Sequence, residues 1–172
     1  LIRLGLALPQ AAAPESLIGD AWDGILLGLL LQGLGRHHAS MRAFEVTFAV
    51  EPESRDRLLP WPVPYPATAG AAQSALLAGW DIGVRGEAVD GPGRAACRRL
   101  ALRWMREALE CMRRMALTDA ENGARRLRAA VSSWLEQSDY SLAREESNLR
   151  RLPAEEAEAW RTFWREARAA VE

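Results

Sequence analysis

The stretch ILLGLLLQGLGRHH, Ile25 to His38, gathers residue types that often do chemistry: three glycines and both histidines of the chain. Gly28 and Gly33 have the G-x-x-x-x-G spacing of a phosphate-cradling loop. Such a loop needs Lys and then Ser or Thr after its second glycine, to reach the phosphates and the magnesium. Leu34 and Gly35 follow instead. The same spacing recurs from Gly86 to Gly91 and is followed by Pro92. Neither glycine pair follows a strand-like run, so both read as packing and turn glycines. His37 and His38 are adjacent, and on a helix adjacent side chains diverge by about 100°. They do not share an ion easily and read as a solvated turn. No metal or cofactor is expected.

Other chemistry is equally thin. Glu107 and Glu110 have the residue type of paired catalytic acids, but they fall on a helix face that reads as solvated. All 22 basic residues are Arg, which excludes a Schiff-base lysine and a kinase-type ATP lysine in this chain. Seven tryptophans would suit either a ligand cage or a packed core. With no nucleophile beside a base and no cluster of metal ligands, the chain alone is not expected to be an enzyme.

The chain has 172 residues, 49% of them hydrophobic and 26% charged, enough for one domain with a sizeable core. A formal net charge of −1 gives no field that would favour nucleic acid or an anionic membrane. The charge is uneven. Residues 1–93 carry 6 Arg against 10 acids, residues 94–143 carry 10 Arg against 6 acids, and residues 144–172 return to net −1. The basic middle suits an acidic partner or a solvated helix face. The apolar run in the opening stretch is about half the ~20 residues of a membrane span. The chain opens LIRLGLALPQ without Met, which reads as a piece of a longer protein. Cys97 and Cys111, 14 residues apart on one expected helix, would lie about 21 Å apart. A disulfide needs Cα atoms within about 7 Å. They read as two reduced core thiols of a cytoplasmic protein.

The elements that must position these residues are helical. One helix is expected over about Ser16–Leu34 and a second over Arg36–Val50, with Gly35 as the turn and Pro52 as the stop. FEVTFAV, Phe44 to Val50, alternates like a strand but is assigned to this second helix. Pro60, Pro62, Pro64 and Pro66 forbid helix and central strand and predict an extended, rigid connector. A small-residue helix follows over Ala67–Trp80, then a Gly-rich loop. From Arg94 to Leu117, Cys97, Leu100, Trp104, Ala108, Cys111 and Met115 form one apolar stripe, with the arginines on the other face. Thr118 and Glu121 have the capping-box spacing and should start the next helix, which ends near Gln137 and buries Leu127, Val131, Trp134 and Leu135. A turn at 138–140 and a short helix over Ser141–Arg150 lead to a last helix opened by Pro153. That helix has Glu155 and Glu156 in its first turn and a buried stripe of Trp160, Phe163, Trp164, Ala167 and Val171. No convincing strand remains.

Leu27-Gly28, Leu31, Gly35, Phe44 and Pro52 resemble the tetratricopeptide repeat, a 34-residue helix–turn–helix. The consensus Trp position holds Gly24, with Trp22 displaced by two, and the two small positions of the second helix hold Ser40 and Thr47. AAQSALLAG with RRLALRWMREALE resembles a later unit. Leu102-Arg103-Trp104, Trp134-Leu135, Asp139, Leu142, and Leu152-Pro153 through Trp160 and Trp164 resemble the C-terminal region of planctomycete-type eukaryotic-like serine/threonine kinases. There, such repeats follow a kinase domain. None of the kinase motifs occurs here, so a kinase domain would lie upstream.

The resemblance implies an all-α fold of antiparallel helix pairs stacked as a tetratricopeptide-like α-solenoid. Residues 1–15 would end a preceding repeat or linker, 16–52 form one repeat, 53–66 a Pro-rich connector, 67–117 a longer helix pair, and 118–172 C-terminal helices and a cap. It implies a module that binds a protein or peptide partner on a concave face lined by the first helix of each pair. That face would include Trp22, Ile25, Leu29 and Gln32, although Ile25 and Leu29 also suit a core. Arg99, Arg103 and Arg106 would hold an acidic peptide. A purely structural cap, with Arg161, Arg165 and Arg168 outward, is the alternative.

Overall fold

The computed structural model describes residues 20–59, 65–82, 90–119 and 121–172. The expected preceding repeat end at 1–15, the prolines at 60, 62 and 64, and most of the loop before the long helix lie outside them.

Helix α1 is Ala21–Gly33. Asp20 is extended, and its carboxylate accepts a hydrogen bond from the Asp23 N–H at 2.9 Å. That N-cap starts α1 at Ala21; the expected stretch 16–19 lies outside the described residues. The helix closes on Gly35, whose φ of 72° is left-handed. The Arg36 N–H returns to the Leu31 carbonyl at 2.9 Å, a six-to-one closure for which glycine is the least strained residue. Helix α2, His37–Val50, starts at once. The two histidines therefore open a helix and are not a solvated turn; His37 is buried and His38 half-buried.

Helices α1 and α2 run antiparallel in close contact, Gly24 facing Thr47 and Gly28 facing Phe44. The Ser40 hydroxyl donates to the Gly28 carbonyl at 2.7 Å and lies 2.8 Å from the Ser74 hydroxyl on the third helix. A buried polar thread thus crosses three helices with its groups satisfied. FEVTFAV is helical, as expected, because Phe44, Thr47 and Phe48 fall on the side facing the core.

Pro52–Asp56 forms a 3-10 turn. Strand β1, Leu58–Leu59, then pairs antiparallel with β2, Tyr65–Pro66. This two-residue bridge is a β pairing that the sequence did not announce. Helix α3, Ala67–Gly79, follows with nearly every residue buried. Its Ala, Gly and Ser side chains let it sit between α2 and α4 as the central helix.

Helix α4 is Gly91–Thr118, longer than expected at its start. Asp90 caps it by accepting from the Gly93 N–H at 2.7 Å, and Pro92 occupies the first turn. Cys97, Trp104, Ala108 and Cys111 are buried as the stripe predicts, and Leu100 and Met115 are half-buried. Helix α5 is Gly123–Glu136. The expected capping box is absent. Thr118 belongs to the last turn of α4, its hydroxyl donating back to the Arg114 and Met115 carbonyls. Asp119 makes the turn instead, accepting from the Asn122 N–H at 3.0 Å. Accordingly Asp119→Ala is expected to cost about 1 kcal/mol, and Thr118→Ala under about 0.5 kcal/mol. Urea denaturation midpoints check this, and the opposite ranking would restore the Thr118 cap.

The expected helix Ser141–Arg150 is broken. After the 3-10 turn Ser138–Tyr140 come α6, Ser141–Arg144, and α7, Glu146–Leu149, separated by Glu145 with an extended ψ of 133°. Helix α8, Ala154–Ala169, follows Pro153 and buries Trp160, Phe163, Trp164 and Ala167; Val171 is half-buried. Helices α1 to α4 each pack on the next in sequence, and α8 returns to touch α4 and α6. The Trp164 indole N–H donates to the Ala143 carbonyl at 2.7 Å, and the Tyr140 hydroxyl to the Ala69 carbonyl at 3.0 Å. These bonds fasten the C-terminal helices to the middle of the molecule. The fold of the described residues is all-α around one principal hydrophobic core.

Candidate partner-binding surfaces

The first expected surface is rearranged by the packing of α1. Ile25 is fully buried within the core and takes no part in an open surface. Leu29 and Gln32 are half-buried, and Trp22 is 43% exposed. The apolar residues turned outward are Trp22, Leu26 at 38%, Leu30 at 38% and Leu34 at 56%. They recur every four residues and form one ridge along the helix. The reason lies in composition. Helix α1 is apolar on all sides, so no polar stripe marks which residues face α2. The glycines decide it, because Gly24 and Gly28 must face the partner helix. The Arg57 guanidinium lies 5.4 Å from the Trp22 ring and covers one end of the ridge.

The second expected surface stays together. Arg99, Arg103 and Arg106 are all exposed on one face of α4. Among the described residues neither Arg99 nor Arg106 has an ion pair, and Arg103 reaches Glu107 only at 3.8 Å. The three arginines rim a groove of about 550 Å³ between α4 and α8, with Leu102, Pro153 and Ala159 also in its lining. Arg99 and Arg103 also border a second groove of about 550 Å³ toward α2, lined by His38, Arg42 and Glu45 among others.

One arginine leaves the solvated face that the sequence assigned to all of them. Arg98 makes a two-point pair with Glu156 of α8, at 2.6 and 3.2 Å. The two side chains are only 12% and 11% exposed. Its third contact is a 2.8 Å bond to the Gly79 carbonyl at the end of α3. Its guanidinium also lies 5.8 Å from the Trp80 ring, with Arg151 at 5.2 Å from the same ring. Arg98 therefore locks α3, α4 and α8 together beneath the arginine rim. Sequence reasoning missed this because the partners are 58 residues apart. The only local trace was Arg98 lying next to the buried stripe residue Cys97.

Of the two glutamates weighed for catalysis, Glu110 is exposed. Glu107 faces Arg55 at 3.6 Å as well as Arg103. Four tryptophans, Trp104, Trp134, Trp160 and Trp164, fill the core and form no open cage. Among the described residues there is no group of three or more His, Cys, Asp or Glu suited to a metal. Nor is any helix among them long and apolar enough to cross a membrane.

Cys97 and Cys111 are both free and buried on α4. Burial, followed by the charge of Asp56, pushes the Cys111 thiol up to about 12. Burial, followed by Glu45, also raises Cys97. An unfolded thiol loses its proton near pH 8.5. Above that pH the unfolded chain holds fewer protons than the folded one, so stability falls as pH rises; below it the contribution is fully present. The denaturation midpoint should therefore drop between about pH 9 and about pH 11, and Cys111→Ala should flatten the drop. Equal slopes for the two proteins would assign the loss to other groups.

Comparison with protein-family models, with curated proteins and with solved structures returned no match.

Proposed function

We propose that this chain is a non-catalytic helical-repeat module for protein–protein interaction. We read it as the C-terminal repeat region of a larger protein resembling serine/threonine kinases. The reading is carried by one observation: exposed arginines, two of them without an ion pair among the described residues, rim a groove that also offers apolar side chains. Further support comes from the glycine-mediated α1–α2 pair and from the packing of each of the first four helices on the next. A tetratricopeptide-like stacking of helix pairs suits both. The basic face is suited to a protein partner, and the near-neutral chain does not favour nucleic acid.

A purely structural cap is the second reading. It is favoured by α8, which folds back on α4 and α6 and turns outward a network of Arg161 with Glu146 and Glu158. Solenoids need such polar ends. Two experiments separate the readings. Reading the coding DNA upstream of Leu1 tests the kinase attachment: a Gly-rich loop, an ATP lysine and a catalytic-loop Asp support it, and an unrelated domain removes it. Co-precipitation from cells of the source compares the wild-type chain with Arg99→Glu/Arg106→Glu. A partner held by the first and lost by the second supports the interaction module. Equal recovery of every protein by both favours the cap.

A further inference from the structure

The groove between α4 and α8 has an asymmetric rim. On the α4 side stand Arg99, Arg103 and Arg106, at spacings of four and three, spread over about 10 Å of helix. On the α8 side stand Glu155, exposed and without an ion pair among the described residues, and Glu156, already neutralised by Arg98. Between them lie Leu102 and Ala159. Arg98, bound at three points, fixes the two helices relative to each other, so the groove is preformed and an occupant need not order it. Its volume of about 550 Å³ falls in the range of about 300–1,000 Å³ typical of ligand clefts.

We infer that this groove binds an acidic peptide segment that places carboxylates along Arg99, Arg103 and Arg106 and inserts one large apolar side chain over Leu102 and Ala159. The inference rests on the reading of the chain as an interaction module and names the chemistry of its partner. Three features favour carboxylates over a phosphate. The guanidiniums are spread along a helix and do not converge on one point, which matches single charges distributed along a peptide. Glu107 and Glu155 share the groove and repel a doubly charged group more than a singly charged one. The apolar floor has no use for a bare anion. Glu155, without an ion pair among the described residues, also sets direction: the acidic side of the peptide faces α4, and its other side is neutral or basic.

The test is fluorescence anisotropy with a labelled twelve-residue peptide carrying Glu at spacings of three and four and Leu between them. Saturable binding is expected, weakening as salt is raised. Arg99→Glu/Arg106→Glu should weaken it about tenfold, equivalent to about 1.4 kcal/mol. Arg128→Glu/Arg168→Glu, the same charge change at exposed arginines elsewhere, should leave it within about twofold, the scale of small surface-charge effects. Glu155→Gln should tighten it. Replacing Leu by Ala in the peptide should weaken it, and replacing Glu by Gln should abolish it. Circular dichroism confirms that both double variants fold. Absence of saturable binding, or equal loss in the two double variants, overturns the inference. So does a phosphoserine peptide without Leu that binds as tightly. A cellular partner lost by Arg99→Glu/Arg106→Glu while the acidic peptide fails to bind leaves the interaction module standing and removes only this occupant.

Discussion

Gly24→Val is expected to destabilise the chain by about 3 kcal/mol, the upper end of overpacking costs in a filled core. The melting temperature should fall by roughly 10 °C for a chain of this size. A Cβ at position 24 would lie 1.9 Å from the Thr47 hydroxyl oxygen, 3.0 Å from its Cβ and 3.1 Å from its Cγ2. Rotating Thr47 does not fully relieve this, because its Cβ, which the rotation leaves in place, stays at 3.0 Å. Rotation also breaks the 2.7 Å bond from the Thr47 hydroxyl to the Ala43 carbonyl, within a fully buried side chain. The intrinsic helix preference of valine over glycine, a few tenths of a kcal/mol, does not offset that. Gly24→Val/Thr47→Ala should recover a large part of the loss, since it removes the clashing atoms. Thermal unfolding of the two single variants and the double variant decides it. A Gly24→Val protein as stable as wild type would mean that α1 and α2 can separate freely.

Arg98→Met should cost about 3–5 kcal/mol, the scale for breaking a buried ion pair from one side. The loss comes mainly from what remains. Glu156 keeps a carboxylate in a site about one tenth exposed, and the Gly79 carbonyl loses its donor. Arg98→Met/Glu156→Leu should be more stable than Arg98→Met alone, because the stranded charge is gone. This ordering separates a pair that is costly to break from one that is strongly stabilising. Equilibrium urea unfolding of both singles and the double gives the coupling directly. Additive effects would mean that the two side chains do not sense each other.

The all-α character of the described residues was legible because helical period dominates the chain. The α4 stripe and the last helix follow the apolar spacing, and Gly35 stops α1 for the conformational reason that its type suggests. The exact starts were less legible. Asp90 and Pro92 look like loop residues by composition, yet together they cap and open α4. Thr118 has the spacing of a cap, but α4 runs one residue further than Leu117 and absorbs it. Spacing alone cannot say which of two competing helices claims a hydroxyl.

The candidate surfaces were legible in part. Arg99, Arg103 and Arg106 needed only helical spacing to be grouped, and they remain one face. The α1 set failed at Ile25 because an all-apolar helix carries no polarity contrast to orient it. The informative residue was Gly24. It stands where the repeat consensus has Trp, and it is the point where Thr47 leaves no room for any side chain. Arg98 was assigned to solvent with its neighbours because its partners come from α3 and α8, and no local pattern encodes a contact across 58 residues.

The two guanidiniums against Trp80, those of Arg98 and Arg151, make that indole an optical gauge of the groove. Most of the other tryptophans described are sealed in the core, beyond the reach of a dissolved quencher; Trp80 is half-buried and Trp22 open. Any occupant that shifts α8 shifts Glu156, then Arg98, then the cation lying against the Trp80 ring. The colour and yield of its emission should follow, so the groove carries its own light signal without an attached dye.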